Sequence, residues 1–265
     1  MIRTVTIYTG ESDYAKAAQK HGMEIARLFG ARLKIAGIWS NQTDSEQNVT
    51  PESSEGITGT QQEELIDTAQ KSGINAEAVF RGEGLTEGLL EEAKETDLLV
   101  LGLATEEENE DKNTDRLVNA ELPVLRRADS HLLIVNRKPS RTKTILAKYE
   151  PRNRGKAMLR MVGAMAEKYG ARIDLLTTES RIADAVKTAE SAVEYLKGYQ
   201  PADVKTHART GSNEYSNDII SAAESCGADL IAMGEEGHNW LERLMGTNTA
   251  ERTALETSTP LLIAR

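Results

Sequence analysis

The chain has 265 residues, of which 39% are apolar but only two are Phe and two Trp, so its aliphatic core suffices for one large domain or two ordinary ones. The formal charge of −10 sits in the first half: residues 1–137 hold 14 Lys+Arg against 25 Asp+Glu, and residues 138–265 hold 18 against 17. An acidic field of that kind disfavours nucleic acid and anionic membrane as partners, and the absence of a run of about eighteen apolar residues excludes a transmembrane helix.

MIRTVTIYTG opens as a strand and lacks the apolar core of a signal peptide. A single cysteine, Cys226, leaves no internal disulfide, and the two features together imply a cytoplasmic setting. Cys226 reads as a small buried residue near a helix end rather than a catalytic thiol. His21, His131, His207 and His238 show no ligand spacing, so no metal site is expected.

In chain order, residues 3–9 alternate as a strand, and Ser12 or Asp13 caps a helix that runs to Phe29 and ends on Gly30. Residues 32–39 form a second strand. The polar, turn-rich stretch 40–60 is expected to be a mobile loop. A helix over 61–71, a strand over 76–81, a helix over 86–95 and a buried strand over 98–101 follow. A helix over 114–127 and a strand over 132–135 close the first half. The order βαβαβαβαβ implies a doubly wound parallel sheet.

The second half repeats it. Strands are predicted over 144–147, 172–177 and 203–208, with helices over 154–169, 182–196 and 215–225. The final stretch then runs from the apolar strand Leu230-Ile231-Ala232-Met233 through Gly234-Glu235-Glu236-Gly237 into an amphipathic segment over 239–256 and a last strand over 261–264. Gly234 and Gly237 read either as ordinary turn residues or, with Gly246 and Thr247, as an anion-binding corner at a helix start. Internal matches support a duplication. Gly30-Ala31-Arg32 returns as Gly170-Ala171-Arg172, Asp97–Gly102 as Asp229–Gly234, and Leu132–Val135 as Leu261–Ala264, at offsets of 140, 132 and 129. Lys138-Pro139-Ser140-Arg141 is the linker, giving domains over 1–138 and 141–265.

These features resemble a tandem universal stress protein, two copies of the domain in one chain. The resemblance implies two α/β domains of the adenine nucleotide alpha hydrolase-like kind, each a five-stranded parallel sheet of order 3-2-1-4-5. It also implies a nucleotide motif of Gly, two residues, Gly, nine residues, then Gly with Ser or Thr. Gly234, Gly237, Gly246 and Thr247 match it, although eight residues rather than nine separate Gly237 from Gly246. Glu235 and Glu236 stand where neutral residues are usual, and Glu150 stands nearest to the place of an aspartate common at the end of the first strand.

The expected crevice lies between the carboxyl ends of the first and fourth strands, at the topological switch point. In the second half that brings together Glu150, Arg152, Met233 and Gly234, with Arg154 and Lys156 nearby as cations for phosphate. By resemblance the adenine lies near Thr177 and Thr178, and the phosphates on the amides of Gly234, Gly237, Gly246 and Thr247. The first half has no glycine between Gly102 and Gly155 and carries five carboxylates over 106–111, so it reads as a degenerate copy. The expected ligand is ATP or AMP, with or without magnesium.

No Walker lysine motif, GxSxG elbow or paired-carboxylate pattern occurs, so no catalytic residue is assigned. Three functions stay open: a nucleotide-responsive regulator of the stress response with a protein partner, a nucleotide-free interaction module, and a weak ATPase. The last strand of each half is an exposed edge, and the resemblance implies that the halves pair through it as an internal pseudo-dimer, with a homodimer of chains also open.

Overall fold

The computed structural model describes residues 2–10, 12–38, 51–81, 84–103, 123–136, 141–151, 155–211, 215–234 and 249–265. It divides into two compact units, Ile2–Pro139 and Ser140–Arg265. The first comprises β1 (Thr4–Tyr8), α1 (Asp13–Phe29), β2 (Arg32–Ile38), α2 (Pro51–Lys71), β3 (Ala76–Arg81), α3 (Leu85–Lys94), β4 (Leu98–Gly102), the described part of α4 (123–127) and β5 (His131–Val135). The second comprises β6 (Thr144–Tyr149), α5 (Gly155–Tyr169), β7 (Arg172–Glu179), α6 (Ile182–Leu196), β8 (Val204–Thr210), α7 (Tyr215–Cys226), β9 (Leu230–Gly234), α8 (Thr249–Glu256) and β10 (Leu261–Ala264).

Strand order is β3-β2-β1-β4-β5 in one unit and β8-β7-β6-β9-β10 in the other, each 3-2-1-4-5 in its own count. Neighbouring strands within each unit run parallel. The inner strands β4 and β6 are buried along their whole length, as the continuous apolar run of a parallel sheet covered on both faces requires. In the first unit α1 lies on the face that carries Ile7 and Val100, which flank Gly22, and α3 lies on the opposite face, where Glu92 meets Lys34. In the second unit α6 takes the face of Thr177, and α7 the face of Asp174.

Local signals act as expected at the first helix. Ser12 Oγ accepts from the Ala15 amide at 3.1 Å, and Gly30 ends the helix with φ 62°, in the left-handed region that glycine enters without steric cost. Elsewhere the elements run longer than their sequence pattern. Residues 51–60, expected in a loop, belong to α2, which starts at Pro51. Proline is favoured at the first helical position because its missing N–H is an orphan there anyway. Residues 40–50, at the start of the same expected loop, and Trp39, expected to end the second strand, lie outside the described residues. Strand β6 extends past Ala147 through Lys148 to Tyr149, and β7 past Thr177 to Glu179. No helix among the described residues is long and apolar enough to cross a membrane.

Candidate functional site

The carboxyl ends of β6, β7 and β9 meet in the second unit. Lys148 lies in register with Met233 on one side and Leu176 on the other, and Tyr149 with Thr177. Partners in a parallel sheet share a face and successive residues alternate. Lys148, Leu176, Thr178 and Met233 therefore share one face, and Tyr149 and Thr177 share the other. Arg172, which bonds Asp174 on the first face, also donates to the Cys226 carbonyl at the end of α7, so α7 covers that face.

Lys148 is the unexpected member. Its side chain is only 5% exposed, and its Nζ pairs with Oε1 of Glu150, whose side chain is 33% exposed. Lysine is almost never fully buried without a partner, so the pair explains how the strand tolerates it. Burial on the opposite face raises the pKa of the Tyr149 phenol, which stays neutral. Beyond Glu150 the chain turns back tightly: a Cβ on Gly155 would overlap the Glu150 carbonyl oxygen. Glycine is required there by close backbone approach.

Of the residues expected at the site, Glu150, Thr178, Met233 and Gly234 are at this end of the sheet. Met233 is buried, while Gly234, Thr178 and Glu150 are half-buried. Arg152, Gly237, Gly246 and Thr247 lie outside the described residues, as do Arg154, Glu235, Glu236 and His238. Thr177 is turned away: its fully buried Oγ1 donates to the Ala185 carbonyl of α6 at 2.9 Å. Lys156, on the first turn of α5, is exposed.

Two residues at this end were not anticipated, Lys148 and Arg209. Arg209 is exposed on β8 in register with Thr178. The available signal for Lys148 was a lone cation inside an otherwise apolar strand, with a carboxylate two residues on. Further down the same face, Asp174 is 1% exposed and accepts from Arg172 Nε at 2.9 Å and pairs with His207 Nε2 at 2.7 Å. Nearby, burial and then the Asp174 carboxylate push the Cys226 thiol up, away from a reactive thiolate.

The same corner of the first unit is closed on itself. Tyr8 occupies the place of Lys148, because Thr4 and Thr144 hold the same register against Arg32 and Arg172. Gln19 Nε2 donates to the carbonyls of Tyr8 and Gly10, each at 3.2 Å, and so ties the loop after β1 to α1. A Cβ on Gly102 would overlap the Tyr14 carbonyl and sit 2.7 Å from the Ala15 amide. That glycine is accounted for by helix packing. The Ala15 amide, a donor an anion would need, is already held by Ser12. The acidic stretch 106–111 lies outside the described residues.

A profile of the universal stress protein family matches residues 141–265. No curated protein matches the sequence. Among solved structures, a universal stress protein from Archaeoglobus fulgidus DSM 4304 is similar with a TM-score of 0.78 and 14% identity, over 99% of this chain and 96% of that one. A functionally unknown protein from Pseudomonas aeruginosa PAO1 follows with a TM-score of 0.68 and 14% identity, over 99% and 92%. The cytoplasmic domain of a prokaryotic cation chloride cotransporter gives 0.59 and 11%, over 100% and 95%. At such identities these likenesses concern the fold, and a fold alone does not decide function.

Proposed function

We propose, from the match of residues 141–265 to the universal stress protein family, that the chain is a regulatory protein of the stress response that binds one adenine nucleotide, ATP or AMP, in its second half. The observation that carries this reading is the difference between the two crevices. In the second unit the switch point presents a buried ammonium, Lys148, in register with Met233 and one residue short of Gly234. The chain then runs on through Gly237, Gly246 and Thr247. In the first unit the equivalent corner is filled by Ser12, Gln19 and the backbone of α1. Residues 1–138 are, in this reading, a copy without a site, and residues 141–265 the copy that keeps one.

Titration calorimetry of the full-length chain tests it. ATP and AMP are expected to bind with one site per chain, and Gly237→Val, which adds bulk where a phosphate belongs, is expected to abolish the heat. A ligand that binds the native state must also stabilise it, by roughly 2.7 kcal/mol at a hundred times Kd. A thermal midpoint indifferent to millimolar ATP would end the proposal. It would favour the second reading, a nucleotide-free interaction module, for which the half-exposed Glu150 carboxylate speaks: it holds a place beside Lys148 that a phosphate oxygen would want.

A further inference from the structure

The outer edge of the second unit carries an inference that does not depend on nucleotide binding. We propose that β8 is a docking edge for a protein partner, which adds to it as an extended strand whose acidic residues alternate with apolar ones.

Three observations lead there. First, the edge is open and its hydrogen-bonding groups are defined. Among the described residues β8 pairs with β7 alone. The Asp203 carbonyl accepts from the Ile173 amide at 2.8 Å, and the Gly211 amide donates to the Glu179 carbonyl at 2.9 Å, so odd-numbered residues turn their backbone groups towards β7. The residues between them turn theirs the other way, out of the sheet. Thr206, Ala208 and Thr210 therefore present a row of outward amides and carbonyls. The Val204 amide, first in that row, is already held by Asp203 Oδ1 at 2.8 Å, which bounds the open run at its start.

Second, the two faces beside that run differ in chemistry. Lys205, His207 and Arg209 share the face of α7, since Lys205 is in register with Asp174 and Arg209 with Thr178. His207 is held by Asp174, whereas Lys205 and Arg209 are exposed and have no ion-pair partner among the described residues. On the other face α6 lies over β7 and β8, and α5 over β6 and β9. The buried line of α6 is Ala185, Ala189, Ala192 and Leu196. Its Tyr195 flank faces α5, because Tyr195 packs on Tyr199, whose ring lies where a Cβ on Gly163 of α5 would sit. Helical periodicity puts Ile182 and Val186 on the opposite flank, beside the β8 edge, where they are 52% and 43% exposed. A strand added to β8 repeats its alternation of faces. Carboxylates then meet Lys205 and Arg209, and aliphatic side chains meet Ile182 and Val186.

Third, the equivalent edge of the first unit keeps its charges to itself. Glu77, Val79 and Arg81 of β3 stand where Lys205, His207 and Arg209 stand in β8, because Glu77 lies opposite Lys34 as Lys205 lies opposite Asp174. Glu77 pairs with Arg32 at 3.6 Å, and Arg81 with Glu92 and Glu95. The fold can therefore satisfy these positions from within, and β8 leaves two cations over. Like charge keeps two β8 edges apart, and β3 of a second copy would bring Arg81 together with Glu77, so neither edge of this chain is the matching strand.

Fluorescence anisotropy on the full-length chain, with labelled peptides, tests the edge. A peptide of alternating glutamate and valine is expected to bind. One of the same composition arranged in two blocks, and one of alternating lysine and valine, are expected to bind about tenfold more weakly or not at all. Ala208→Pro removes an outward amide and leaves the β7 ladder intact, the one kind of strand position that tolerates proline. It is expected to weaken the glutamate–valine peptide about tenfold while the thermal midpoint stays within a few degrees. Lys205→Glu combined with Arg209→Glu is expected to transfer the preference to the lysine–valine peptide, and hydrogen exchange at Thr206 and Ala208 is expected to slow when the wild type is loaded. Binding that falls on charge reversal but ignores Ala208→Pro, with no slowing of exchange, would mean a surface that merely adsorbs acid and would overturn the inference. No binding at millimolar peptide would leave Lys205 and Arg209 as guards against edge pairing and would also overturn it. A chain that dimerises in solution and becomes monomeric with Ala208→Pro would give the edge to a second copy, with the same consequence. Should Ala208→Pro not fold, the charge-reversed variant and the exchange of the wild type decide. None of these readouts involves ATP, so the docking edge and the nucleotide site stand or fall separately.

Discussion

Thr4 faces Arg32 in the first unit as Thr144 faces Arg172 in the second, and Leu98 and Leu230 meet Val5 and Ile145 in the same way. Asp97 Oδ2 accepts from the amides of Arg3 and Thr4 at 2.8 and 3.0 Å, and Asp229 Oδ2 accepts from those of Lys143 and Thr144 at the same distances. What is shared is whatever the backbone dictates: register, strand staples and glycine caps. The buried charges differ. At one position of the second strand, the first unit has Lys34, held by Glu92 of α3 and by Glu95 just after that helix, and the second has Asp174, held by Arg172 and His207. Even the residues opposite are exchanged, Glu77 beside Lys34 and Lys205 beside Asp174. A duplicated sheet tolerates either sign in its interior if a partner of the other sign comes with it. Which sign is present then becomes free to serve a site.

The sharpest way to break this comparison is to remove one partner. Glu92 is fully buried, with Oε1 2.6 Å from Arg81 and Oε2 2.7 Å from Lys34. The Lys34 contact is not a well-angled hydrogen bond, so it acts mainly through charge. Glu92→Ala leaves Lys34 with only the exposed Glu95. Breaking a buried pair in this way costs about 3–5 kcal/mol. Urea unfolding should show that loss in the transition of the first unit, with the second unmoved. A loss below about 1 kcal/mol, the scale of a surface pair, would mean that the interior charge is not held as described.

His21 offers a test through pH. It is buried on α1, its Nε2 has no hydrogen-bond partner among the described residues, and burial lowers its pKa to about 4 from 6.5. The unfolded chain therefore binds a proton that the native unit refuses. Stability from the neutral imidazole is complete above pH 6.5, erodes as pH falls, and is gone below about 4. The full swing is about 3 kcal/mol, from the linkage of 1.36 kcal/mol per pKa unit. In the repeat, the same helix position is Met161, which is also buried. His21→Met copies the second unit into the first. It should leave stability at pH 7 little changed and remove most of the loss between pH 6.5 and 4. An acid midpoint that stays where it was would place the sensitivity elsewhere.

Much of the architecture was legible because buried parallel strands are apolar runs: Leu98–Leu101, Leu132–Val135 and Leu261–Ala264 all lie in strands. The same rule ended β6 too early, at Ala147, because a lysine breaks an apolar run and periodicity cannot see a carboxylate two residues on. The start of α2 was hidden in a similar way, since Pro51, two serines and two glycines resemble a turn when the helical role of a first-position proline is overlooked. At the candidate site, sequence pattern placed Glu150, Met233 and Gly234 at one end of a sheet and the family resemblance added Thr178, and all four lie at that end. It did not separate Thr178 from Thr177. Which of two adjacent threonines turns toward a helix depends on strand parity, and parity is set by the register with neighbouring strands.

The smallest expected effect is the one that should be equal in both halves. Gly30 and Gly170 end the first helix of each unit at φ 62° and 65°, and a Cβ on either would meet no atom within 4 Å. The following residues confirm the shared geometry, with Ala31 N donating to Ala26 O at 2.8 Å and Ala171 N to Ala166 O at 2.9 Å. With no packing to disturb, alanine at either position incurs only the backbone cost of the left-handed conformation, roughly 1 kcal/mol. Gly30→Ala and Gly170→Ala should each lower the transition of their own unit by that amount, and the double variant should show both losses undiminished, because the sites share no partner. The units differ in sheet-face charge at Lys34 and Asp174 and in crevice chemistry at Tyr8 and Lys148, and neither difference touches these caps. A cost at Gly170 well above that at Gly30 would therefore mean that the repeat has diverged in its backbone as well as in its charges.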